Sequence, residues 1–219
     1  MDAALARITG EAAGQRPFAV VTFDDGCRGC LSTVLPIMQE LGLPFVQYVV
    51  TAATLTRSIH WFDRVINLLG QDRPLDLRLR GGGKQLRFRI PRAPLGELRW
   101  TEMQRLLEWL KSLDGAERDA LVATIDAQYG IAEGPVEVLS LRELQQLAAS
   151  DLVSIGSHSH GHELLDRLDR PDILASLETS RRLVGEMIGV PPAHLSYPNG
   201  NYARDVAELA RSCGSRTAV

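Results

Sequence analysis

The chain has 219 residues, 45% hydrophobic, 23% charged and 5% aromatic, an ordinary globular balance with enough length for one well-buried domain core. Twenty-four Lys and Arg against 27 Asp and Glu leave a formal charge of −3, so no global positive field exists to hold the molecule on nucleic acid. No run approaches the roughly 20 apolar residues that span a bilayer, the first residues show no export signal, and three cysteines are too few for a secreted disulfide framework; a cytoplasmic protein is expected.

Residues 18–23 form a continuous β-branched and aromatic run that stops at Asp24-Asp25-Gly26, which predicts a buried strand ending in a loop. Leu31, Val34, Leu35, Met38 and Leu41 then fall at helical spacing with Gly42 as a stop, and a second strand is expected over 45–50. Strand, helix and strand with short links are the unit of a parallel sheet. The stretch 57–137 breaks this rhythm. It reads as a helix over 60–69, a hairpin with arms 75–80 and 85–90, and helices over 101–113 and 116–129, the first opened by the capping-box spacing Thr101-x-x-Gln104. Trp61, Phe62 and Trp100 in this insertion read as core residues.

The core resumes at a second capping box, Ser140-x-x-Glu143, with a helix to 149 and a short strand over 152–155. Pro171 opens a long helix to 187, Gly189 closes it, 195–198 resembles another strand end, and a helix over 203–213 leads to a strand just starting at Val219. About five core strands are expected in all.

In parallel α/β sheets functional groups gather at the carboxyl ends of strands. Asp24 and Asp25 sit at one such end, where adjacent carboxylates diverge and can serve different jobs, although Asp-Asp-Gly is equally a plain turn. At another, Gly156-Ser-His-Ser-His-Gly-His162 places three of the five histidines within five residues. His158 and His162 are four apart, close enough to share a divalent ion, and with Asp25 they would form a facial site with open positions, the mark of catalysis rather than scaffolding.

These two segments, Val21 to Gly26 and Gly156 to His162, resemble the first two motifs of the polysaccharide deacetylase family, the NodB-homology carbohydrate esterases. Ser196-Tyr197-Pro198-Asn199-Gly200 resembles the third. The match covers about 17–56 and 138–219, leaving 57–137 as a mixed helix and hairpin insertion in a single NodB-like domain. The resemblance implies an α/β fold, a distorted, incomplete (β/α) barrel, and hydrolysis of an N-acetyl or O-acetyl group on a saccharide in bacterial polysaccharide biosynthesis or modification. It implies Asp24 as general base, Asp25, His158 and His162 as ligands of one divalent metal, zinc above all, and Tyr197, Pro198, Asn199 and Gly200 as the wall of a sugar groove. The late Leu-x-His motif that carries the family's general acid is absent: His194 falls too early and His160 is expected to point away from the ion. A chain truncated at its C-terminus is the expectation, and a saccharide-binding protein with an incomplete site, or a hydrolase of a non-sugar C–N bond, are the alternatives.

Three further signals read as structural. Cys27-x-x-Cys30 has redox spacing but no second pair, and reads as two small residues at a loop and helix start. Gly81-Gly-Gly-Lys84 lacks the hydroxyl residue of a phosphate loop and reads as a turn. The arginines at 78, 80, 87 and 89 form a basic face, either solvated or facing an anionic glycan or lipid phosphate.

Overall fold

A computed structural model describes residues 1–11, 17–92, 96–130 and 137–219; the stretch 131–136, at the far end of the expected insertion, lies outside the described residues. The chain divides into two compact units, one of Met1–Ser58 with Glu137–Val219 and one of Ile59–Val136.

The first unit is built on five parallel strands in the order β1 (Val21–Phe23), β2 (Phe45–Val49), β5 (Val153–Ser157), β6 (His194–Leu195) and β7 (Thr217–Ala218). Helices occur between successive strands, as parallel pairing requires: α2 (Leu35–Leu41) follows β1, α3 (Thr51–Thr56) and later α7 (Leu141–Ala148) lie between β2 and β5, α8 (Arg170–Ile188) follows β5 and α9 (Arg204–Ser212) follows β6. The sheet is an open, incomplete (β/α) barrel of the expected class. All five residues of β2 are buried, as a parallel strand covered on both faces must be. One apolar cluster joins Met38, Phe45, Val49, Leu144, Ile155 and Val184, and a second joins Leu165, Ile173, Leu177, Leu195, Val206 and Leu209. Each such side chain contributes about 1.5–3 kcal/mol on full burial, before the ordering entropy is subtracted.

Helix ends follow local chemistry. Ser140 accepts from the Glu143 N–H while Glu143 reaches back to the Ser140 N–H, the expected capping box. Asp169 caps α8, Pro171 stands in its first turn, and left-handed Gly42 and Gly189 close α2 and α8. The helix expected from residue 31 begins as a π-turn, Cys30–Val34. Pro36 has no N–H to give the ordinary ladder, and the Leu35 N–H reaches back to the Cys30 carbonyl instead. Two helices fall outside the sequence expectations: α1 (Asp2–Ile8) and α3, whose Thr-rich six residues carry no helical signature.

The second unit packs α4 (Trp61–Gly70), α5 (Glu97–Lys111) and α6 (Gly115–Tyr129) with the antiparallel hairpin β3 (Leu75–Gly81) and β4 (Lys84–Ile90). Gly82 and Gly83 both have positive φ, as a tight two-residue hairpin turn demands, so the glycine run is the expected turn. Trp61 packs on this unit's core, whereas Trp100 is exposed. The capping box expected at Thr101 does not form. Gly96 starts the helix five residues earlier, and the Thr101 hydroxyl bonds back to the Glu97 carbonyl from inside it. The buried Arg99 explains the longer first turn: its guanidinium reaches the carbonyls of Leu69, Gln71 and Pro91, which holds the segment ahead of Thr101 in helix.

Candidate metal centre

The site lies where β1, β2, β5 and β6 end. The side-chain nitrogen of Gln47, on fully buried β2, lies 3.2 Å from the Phe23 carbonyl, 3.1 Å from that of Asp24 and 2.8 Å from that of Tyr48. Its two N–H groups are shared among these three acceptors and fix the chain as it leaves β1. The Gly26 N–H donates to the Tyr48 carbonyl and the Leu139 N–H to that of Gly26, so the loop is held on both sides. Between these anchors Asp25 adopts φ 66°. Left-handed backbone is rare outside glycine, and Asp tolerates it better than most residues. The turn separates the two carboxylates: Asp24 is exposed and Asp25 is half-buried.

β5 delivers the histidines. The His158 N–H continues the β2–β5 pairing by donating to the Val49 carbonyl, and the residue is 1% exposed. His158 Nδ1 lies 2.9 Å from the Ser196 carbonyl oxygen, which can only accept. Nδ1 is therefore the donor of that bond, and Nε2 faces Asp25 Oδ1, 3.4 Å away. The chain turns through left-handed Ser159 and His162, bringing His162 Nε2 to 3.1 Å from the same Oδ1. The two rings stand edge to face with centroids 5.0 Å apart. One ligand atom from each of Asp25, His158 and His162 lies within 4.8 Å of the others. Burial pushes the Asp25 carboxyl pKa up, but the hydrogen bonds and charges of His158 and His162 outweigh it and hold the group well below the ordinary carboxylate range. A carboxylate and two imidazoles, one with its Nδ1 already engaged by a backbone carbonyl, form a donor set suited to a divalent ion such as zinc.

Asp24 stands beside this set. Its Oδ2 accepts a hydrogen bond of 3.2 Å from the Ser196 hydroxyl, the residue whose carbonyl orients His158. Gln47 carries no functional signal in the sequence, and Ser196 opens the third motif there without a role of its own. The role of Ser196 rests on its backbone carbonyl and on a partner 172 positions away.

The remaining histidines of this unit are engaged elsewhere. His160 Nδ1 is 2.8 Å from the Thr51 hydroxyl, as expected of a ring turned from the ligand set. His194 Nδ1 is 2.8 Å from the Thr217 hydroxyl and its Nε2 3.6 Å from Asp2, and burial lowers its pKa. Tyr197 is buried and stacks on Tyr202, and Pro198–Gly200 forms a single 3₁₀ turn with Asn199 left-handed. Tyr197 and Gly200 line a cleft of about 920 Å³ with Tyr202, Arg211 and Arg216, and the three ligand candidates are not part of its wall. The Cys30 thiol is buried against the core, which, with the neighbouring Cys27, pushes its pKa up to about 12, in keeping with a structural role.

The family model described as polysaccharide deacetylase matches residues 117–218, a stretch that contains His158, His162 and the third motif. Among solved structures, the chain is similar to the Streptococcus pyogenes deacetylase PplD in complex with acetate, with a TM-score of 0.55 and 11% identity over 97% of this chain and 60% of that one. It is similar to IcaB from Ammonifex degensii, with a TM-score of 0.55 and 14% identity over 98% and 64% of the two chains. For the deacetylase domain of BpsB from Bordetella bronchiseptica the values are 0.51 and 19%, over 98% and 69%. The first two are thus spanned over less than two thirds of their length, and identities this low establish the fold. No curated protein sequence is similar to the chain.

Proposed function

The chain is related to the polysaccharide deacetylases, and on that premise we propose that it is a metal-dependent hydrolase that removes N-acetyl groups from a saccharide, in the making or modification of a bacterial polysaccharide. The observation that carries this reading is the convergence of Asp25, His158 and His162 within 4.8 Å at the strand ends. A divalent ion held by these three would supply the Lewis acidity that an unreactive amide needs, and a water acidic enough to attack at neutral pH. The protein's own groups do the rest. Asp24 accepts the proton of the attacking water on its carboxylate while the Ser196 hydroxyl holds Oδ2 in place. Ser196 thereby couples the base to the imidazole of His158, so both keep one geometry. The Tyr197 to Gly200 turn would line the sugar groove, with exposed Tyr202, stacked on buried Tyr197, offering an aromatic face to a pyranose ring.

The second reading, a saccharide-binding protein without turnover, is favoured by one observation. His160 and His194 are both engaged away from the ligand set, so among the described residues of this unit no histidine stands beside it to protonate the departing amine.

One set of measurements separates them: zinc content, and acetate release from N-acetylated chito-oligosaccharides. Acetate release by the zinc-loaded protein supports the hydrolase; full loading without acetate supports the binding reading. Asp24→Asn is expected to abolish release and retain zinc, and His158→Ala to lose both. Equal loss of zinc in Asp24→Asn overturns the division of labour between the two aspartates.

A further inference from the structure

The loop that presents His162 cannot hold itself in place. Ser159 and His162 both have positive φ, 63° and 60°, a left-handed backbone that non-glycine residues keep only where their surroundings impose it. What imposes it is a closed ring of hydrogen bonds on the two residues between them. The His160 N–H donates to the Ser176 hydroxyl oxygen at 3.1 Å, and the Gly161 N–H donates to Glu163 Oε1 at 3.0 Å. The ring closes where the Ser176 hydroxyl donates to Glu163 Oε2 at 2.9 Å. One carboxylate thus gathers two donors, and bonds to an ionised acceptor are the stronger kind.

Ser176 is buried on α8, so the ring ties the loop to the helix that follows β5. A second tie runs to α3, where the Ala52 N–H donates to the His160 carbonyl and the Thr51 hydroxyl meets the His160 ring. Gly161 is what lets the carboxylate close: a Cβ there would stand 2.8 Å from Glu163 Oε1.

We propose that Glu163, acting with Ser176, is a positioning residue for the metal ligand His162, setting the angle at which its imidazole meets the ion. The inference rests on the metal-centre reading above and extends it to two residues that touch no ligand atom. Partners of this kind, when removed, weaken metal affinity by about 10- to 100-fold.

The test uses the full chain and its Glu163→Gln and Ser176→Ala variants, with zinc affinity measured by competition against a chromophoric chelator. The visible absorption of the cobalt(II)-loaded proteins reports ligand geometry at full occupancy, which a merely structural role leaves unchanged. The expected result is a zinc affinity weaker by about 10- to 100-fold and a shifted cobalt spectrum in both variants. Gly161→Ala, which displaces the carboxylate without changing it, is expected to do the same. Ser176→Ala keeps the test decisive should Glu163→Gln fold poorly. Wild-type affinity with an unaltered spectrum overturns the proposal, as does a lowered melting temperature with zinc binding untouched. Wild-type protein that binds zinc no better than His158→Ala would instead sink the metal centre itself.

Discussion

Ser196 offers two of its polar groups to two different site residues, the carbonyl to His158 Nδ1 and the hydroxyl to Asp24 Oδ2, and the two can be separated by mutation. Ser196→Ala removes the hydroxyl and leaves the carbonyl. A hydrogen bond to a charged group contributes about 1.5–3 kcal/mol, which corresponds to a fall in turnover of about 10- to 100-fold if the bond matters in the transition state. The expected outcome is that fall in kcat with zinc content unchanged; loss of zinc would mean that the hydroxyl serves the ligand set instead. At this scale the sequence exposed ionisable residues far better than their supports. Asp24, Asp25, His158 and His162 stood out because carboxylates and imidazoles are rare directly after apolar runs. The roles of Gln47 and Ser196 did not, since a polar residue in a strand or at the start of a proline-containing motif gains its meaning only from partners that the fold supplies.

Two segments of the chain carry the same capping-box pattern, and only one uses it. At Ser140 the reciprocal bonds form, and Glu143 is also 2.7 Å from the Arg28 guanidinium nitrogen. At Thr101 the helix runs straight through, because Gly96 and the anchored Arg99 offer an earlier start. Local spacing proposes a helix end, and the packing of neighbouring residues decides between proposals. Strand and helix types were legible for the same reason in reverse: the periodic runs of β3, α4 and α8 each bury an apolar face and the short run of β2 is buried throughout, whereas α3 has no such pattern in its six residues. The Ser140 box also yields a pH signature. The Ser140 N–H and hydroxyl, then Arg28, lower the Glu143 carboxyl pKa to about 2, below its unfolded value of about 4.3. A group whose folded pKa is depressed stabilises the protein fully above its unfolded pKa, and this contribution is lost as pH falls toward the folded one. Urea unfolding of Glu143→Gln is therefore expected to show a deficit of about 1 kcal/mol near neutral pH, shrinking between about pH 4.5 and pH 2. A deficit that stays constant across that range would assign the effect to packing rather than to the charge.

The whole molecule places its chemistry on one of its two units, and the placement predicts how metal and stability are linked. Asp25 follows β1 and both histidines follow β5, two strands that flank β2 on either side, so an ion held by all three cross-links segments more than 130 positions apart in the chain. In the unfolded chain these ligands are not gathered, so an ion held by them, zinc on the proposed reading, would bind the folded state preferentially and stabilise it by mass action. At free zinc 100-fold above its dissociation constant the gain is about 2.7 kcal/mol, and a chain of this length gains about 2–4 °C in melting temperature per kcal/mol. Scanning calorimetry is therefore expected to show the transition of the unit holding Asp25, His158 and His162 moving up by about 5–10 °C on zinc addition and returning on chelation. The transition of Ile59–Val136, which contributes none of the three, should stay where it is. His162→Ala should abolish the shift in the first unit. A shift that persists in that variant, or appears equally in both units, would mean that zinc binds somewhere other than these strand ends.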